Sequence, residues 1–236
     1  MNWKHRWLRT ILDPRPRIST GYGLLVLWAM AAVGLLVWLE ATRATEHDRL
    51  HGAKLAAARQ MALASRVLRE ERLGRDVPVE AEYDLNDTGL IGPEFTPITT
   101  TLGDLQAKRT STNPNMAGAV VHMLGALGAA PGECAAIAFS GSFPGLNIAV
   151  LSALKVMDLK PVIVSSVGAS SYGASDPRFT WPDMQKALYD RGVFTWSPAA
   201  VAPGGVVAPS PLFGEEGLDL VRAAMDRCGF PILDER

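Results

Sequence analysis

Two short stretches concentrate hydroxyls and glycines: Ser140-Gly141-Ser142-Phe143-Pro144-Gly145, and residues 165–173, which read SSVGASSYG. Glycines let backbone approach a ligand closely, and free N–H groups at a helix start near Leu146 would favour an anion. A polar or carboxylate-bearing ligand is the expectation. Lys108-Arg109, followed by Thr110, Ser111, Thr112 and Asn113, adds cations and hydroxyls just before a helix expected to start at Pro114. The candidate ligand-binding residues are therefore Lys108, Arg109, Ser140, Gly141, Ser142, Gly145, Ser170, Ser171, Tyr172 and Asp176. The same residues would also serve tight turns, helix caps and a surface cation pair, so both readings stand at this point.

Catalytic signatures are weaker. The frame G-x-S-x-G of a nucleophile elbow fails at both Ser140 and Ser142, because Gly141 directly precedes Ser142 and Ala138 stands two before Ser140. A serine triad also needs a base, and every histidine precedes the expected sheet. His47 and His51 lie one helical turn apart, as in a zinc motif, but Asp48 replaces the usual glutamate and no third ligand is evident. Glu80, Glu82, Asp84 and Asp87 lack calcium-loop spacing and read as a solvated loop. No G-x-G-x-x-G or Walker lysine is present, so neither a metal nor a nucleotide cofactor is expected.

The elements that must position these residues follow from periodicity. CAAIAFS at 134–140 and PVIVSSV at 161–167 read as strands around a helix at 146–159, a βαβ unit with parallel strands. A helix at 181–191, a third strand at 192–196, a helix at 215–228 and an edge strand at Ile232-Leu233 complete the expected α/β fold. That fold is a small doubly wound, Rossmann-like, mainly parallel sheet whose ligands bind outside the carboxyl ends of the strands. Upstream, 45–75 is proline-free with Leu50, Ala53, Ala57, Met61, Ala64 and Leu68 on one stripe. It reads as a stalk helix that packs on its own domain.

Residues 21–39 contain no charge and would span roughly 28 Å as a helix, the thickness of a bilayer core. Lys4, Arg6, Arg9, Arg15 and Arg17 against Asp13 alone place the N-terminus inside. Thr42-Arg43-Ala44 offers a marginal signal-peptide cleavage site, but the apolar run is longer than a signal sequence needs. The organisation expected is a cytoplasmic basic tail (1–20), a transmembrane signal-anchor (21–39), a stalk (40–75) and an extracytoplasmic α/β domain (76–236). Beyond the tail remain 18 bases and 23 acids, a net charge of −5, which excludes a general nucleic-acid binder. Cys134 and Cys228 would sit where a disulfide can form, and pairing or two buried free thiols are both open.

Three strings, ITTTLGDLQAKRTSTNP at 98–114, SGSFPGLNIAV at 140–150 and SSVGASSYGASDPRFTWPDM at 165–184, resemble the poly-γ-glutamate system protein family. The resemblance implies a membrane-associated accessory component of poly-γ-glutamate capsule or exopolymer synthesis or export, with the polymer or its synthase and export subunits as partners. It supplies no catalytic residues. The alternatives are an extracytoplasmic hydrolase or transferase of γ-glutamyl bonds, with Ser142 or Ser140 as nucleophile and Tyr172 or Asp176 assisting, and a purely structural assembly subunit.

Overall fold

The computed structural model describes residues 22–42, 48–204 and 214–233. The basic tail, His47 and the cleavage-site residues Arg43 and Ala44 lie outside the described residues. The chain divides into two compact units, 1–47 and 48–236.

The first unit contributes helix α1 (Tyr22–Ala41), whose only charged residue is Glu40 near its end and whose side chains are all exposed. Twenty residues at about 1.5 Å each reach about 30 Å, so α1 is long and apolar enough to cross a membrane.

The second unit runs α2 (His51–Gly74), α3 (Leu105–Ser111), α4 (Asn115–Ala126), β1 (Cys134–Phe139), α5 (Pro144–Val156), β2 (Lys160–Ser166), α6 (Trp181–Asp190), β3 (Ala200–Ala202) and α7 (Glu215–Cys228). Ala57, Met61, Ala64 and Leu68 are fully buried and recur at helical spacing along α2. That stripe packs on its own domain, against α4, α5 and α6.

The sheet is three-stranded, parallel and open, in the order β1-β2-β3, with Ile137 opposite Ile163 and Phe139 opposite Ser165. Phe139 and Ile163 join one core with residues of α2, α4, α5 and α6, and the Trp181 ring meets Phe139 edge-on at 5.5 Å. A second cluster unites Ile98, Val167 and Val201 with Val221, Ala224 and Met225 of α7. On the opposite face of β1 and β2, Cys134, Ala136 and Ala138 are exposed and Val162 is 50% exposed. The consecutive strand order contains no reversal, so no switch-point crevice forms among the described strands.

Several boundaries differ from expectation. Residues 192–196 are not a strand: the Val193 and Phe194 N–H groups donate to Leu188 O at the end of α6, while Gln60 and Lys155 donate to Val193 O. Backbone groups occupied in this way cannot join a ladder, and the third strand forms later, at Ala200–Ala202. Ile232 makes a single parallel bridge to Val201. The helix expected from Pro114 begins at Asn115, and residues 105–111 form a helix of their own, where Asp104 Oδ1 accepts the Ala107 N–H at 2.7 Å. Cys134 and Cys228 are both free thiols, the first exposed and the second buried.

Helix α6 is fixed at its start by a reciprocal cap between Thr180 and Asp183. Asp183 is buried, and Arg227 of α7 donates to both of its oxygens at 2.7 Å.

Candidate functional site

Helix α3 separates the two cations that adjacent numbering had grouped together. Successive helical residues point about 100° apart, so Lys108 turns inward while Arg109 turns away. Arg109 donates to Tyr83 O at 2.7 Å and Glu82 O at 2.9 Å, which pins the 80–84 loop. Lys108 is 1% exposed. Its Nζ donates to Ser142 O and to Ser170 Oγ, the latter at 2.7 Å, and lies 3.9 Å from the centre of the Phe143 ring. None of these partners is a carboxylate, and burial lowers the Lys108 pKa to about 8.

Around this ammonium the two hydroxyl-rich loops interlock. The Ser170 N–H donates to Ser142 Oγ at 3.1 Å, and the Ser142 N–H donates to Ser140 Oγ at 3.3 Å. Asn147 of α5 donates to Ser140 O, and the Ser171 N–H donates to Thr101 O. Glycine is required where these segments touch: a Cβ on Gly145 would stand 2.5 Å from Ser111 O, and one on Gly103 would stand 2.5 Å from Ser171 O. Ser170 and Ser171 are buried, Ser142 and Tyr172 are half-buried, and Ser140 is exposed.

The structure therefore joins Lys108, Ser140, Gly141, Ser142, Ser170 and Ser171 in one cluster. Gly141 belongs to it because the Ala174 N–H donates to Gly141 O at 2.7 Å. Gly145 serves the junction of α3 and α5. Tyr172 adopts φ +63° and stacks edge-on with Tyr83 at 5.1 Å, flanking the loops. Asp176 is engaged elsewhere: burial opposes its ionisation, but Arg178 side-chain and backbone donors hold its pKa below the usual value.

Other sequence candidates resolve into structural roles. Asp84 accepts from Thr88 Oγ1 and the Gly89 N–H, and Asp87 pairs with Arg69. His51 and His122 are both exposed, and His122 Nδ1 lies 3.2 Å from Lys54 Nζ. Among the described residues no group of three or more His, Cys, Asp or Glu side chains could hold a metal ion.

One feature was missed from the sequence. Arg59, Arg66 and Arg69 share a face of α2, apart from its buried stripe, and line a groove of about 800 Å³. Its far wall is Asn86, Asp87 and Thr88 together with Thr112, Asn113 and Pro114. Its signal in the sequence is the spacing of the arginines at i, i+7 and i+10, on a helix whose apolar stripe dominates the pattern.

No protein-family model, curated relative or solved structure matches this chain.

Proposed function

We propose that the protein is a membrane-anchored accessory component of poly-γ-glutamate synthesis or export. In this reading the N-terminus lies inside, and the α/β domain engages the polymer or a synthase partner outside through its Ser/Gly-rich loops. The observation that carries the reading is spatial. Lys108, Ser142 and Ser170 come one each from the three strings that resemble the family, and they meet through hydrogen bonds in one cluster. An ammonium buried without a carboxylate partner leaves net positive potential in the cluster to which the exposed Ser140 is tied through Ser142, which favours an anionic group there. The reading also takes the parallel sheet as part of a doubly wound, Rossmann-like fold, whose second layer would have to cover the face on which Ala136 and Val162 are exposed.

The test places the full-length chain in nanodiscs of zwitterionic lipid and titrates γ-linked glutamate oligomers. Ser140→Asp, on the exposed rim, is expected to weaken binding about tenfold through like-charge repulsion. Equal affinity for wild type and variant would sink the site.

A second reading, hydrolysis or transfer of γ-glutamyl bonds, is favoured by the 2.7 Å approach of Lys108 Nζ to Ser170 Oγ. A neutral lysine there would take the hydroxyl proton as Oγ attacks the γ-glutamyl carbonyl carbon and return it to the amine released when the C–N bond breaks. Water or an acceptor amine would then cleave the acyl-serine ester; this moves the nucleophile from Ser140 or Ser142 to Ser170. Polymer length unchanged after incubation with wild-type protein would eliminate it.

A further inference from the structure

The groove on α2 presents a cationic surface that the Lys108 cluster does not explain. Arg69 Nη2 donates to Asp87 Oδ2 at 2.5 Å, so one of the three guanidinium groups already has an anionic partner. Arg59 and Arg66 are exposed, and their side chains make no hydrogen bond or ion pair with any described residue. Arg59, Arg66 and Arg69 against Asp87 leave the lining two positive charges in excess, in a domain whose sequence is acidic overall. Two unpaired guanidinium groups held on one helical face, beside a polar wall of Thr88, Thr112 and Asn113, form a receptive surface for oxyanions.

We infer that this groove binds a linear polyanion along α2, with Arg59 and Arg66 each taking a separate oxyanion. Seven residues of helix place the two arginines about 10 Å apart along the axis, too far to share one carboxylate and suited to successive groups on a chain. No large hydrophobic side chain lines the groove. Its apolar lining comes from Ala62, Pro114 and the aliphatic stems of the arginines, and the two guanidinium groups without an anionic partner make an anionic polymer the occupant that the charge favours. The identity of that polymer as γ-linked glutamate rests on the proposed function; the groove itself does not. Local positive charge also resolves the conflict between an acidic domain and an acidic ligand. Repulsion between them is screened beyond about 8 Å at physiological salt, within which the arginines act directly.

The experiment uses the full-length chain in zwitterionic nanodiscs, with Arg59→Ala/Arg66→Ala compared with wild type against three probes: γ-linked glutamate oligomers of increasing length, α-linked glutamate oligomers and polyphosphate. Both arginines are exposed, so folding should survive, and an unchanged thermal midpoint checks this. The expected result is γ-glutamate affinity that rises with oligomer length, weakens with salt, and falls about tenfold in the double variant. If γ-glutamate binds and the double variant retains wild-type affinity, the groove is overturned while the proposed function stands. If only polyphosphate binds, and the variant loses it, the groove is upheld and the glutamate reading fails. Absence of binding by all three probes overturns the groove.

Discussion

Lys108 Nζ lies 2.7 Å from Ser170 Oγ, an ammonium and a hydroxyl joined across 62 positions of sequence with no acid among the ammonium's described partners. Two opposing terms decide what the lysine contributes. Desolvation of the cation is costly, while its three donors satisfy Ser142 O, Ser170 Oγ and the Phe143 ring face.

Lys108→Met retains the stem and removes the charge together with its donors. The relief of desolvation and the loss of about two hydrogen bonds nearly cancel, so the change at pH 7 is expected to stay within ~1–2 kcal/mol. Lys108→Ala leaves a cavity as well and should cost ~2–4 kcal/mol. Denaturant midpoints of the two variants in detergent check the order; a methionine variant as damaged as the alanine variant would show that the charge, not the packing, holds the loops.

The same lysine sets a pH dependence. Its folded pKa of about 8 lies below its unfolded value of about 10.4, so between those values the unfolded chain binds more protons. Stability therefore rises as pH rises from about 8 toward 10, relative to a chain without this group. Wild-type minus Lys108→Met stability, measured at pH 7.5 and pH 9.5, should increase at the higher value; a flat difference contradicts burial of the cation.

Gly145→Ala would force a methyl into the Ser111 carbonyl across the α3–α5 contact. Neither atom belongs to a flexible side chain end, so ~1–3 kcal/mol of destabilisation is expected. Gly74→Ala is the control: nothing lies within 4 Å of its Cβ position at the end of α2, and it should be neutral or stabilising by up to ~1 kcal/mol. Thermal midpoints that move together for the two variants would contradict the close approach.

Asp183 both caps α6 and receives the Arg227 fork. Asp183→Asn loses charge toward Arg227 and disturbs the cap, for ~2–4 kcal/mol. Arg227→Ala spares the cap, and its partly exposed guanidinium is worth less, ~1–2 kcal/mol. Equal losses in urea unfolding would mean that the cap contributes little.

Periodicity found what depends on near neighbours. The α2 stripe, the β1–α5–β2 unit and the membrane-length α1 each announce themselves in a few turns or alternations. The third strand was misplaced because Val193 and Phe194 look like strand residues, yet Leu188, Gln60 and Lys155 take their backbone groups. Helix α3 was missed because seven residues carry too little period to register, and with it went the opposed directions of Lys108 and Arg109. The meeting of Lys108 with Ser170 depends on tertiary folding alone, so the residues were legible as candidates but their separate fates were not.

The burial of Ala57, Met61, Ala64 and Leu68 bears on the order of assembly. Helix α2 is the first part of its unit to be synthesised, yet α4, α5 and α6, which cover its stripe, all follow it. Until α4, α5 and α6 have all emerged, that stripe lacks part of the surface that buries it, and the nascent chain carries it open to chaperones or to premature association. The helix nearest the N-terminus of the domain is thus completed by the chain synthesised after it.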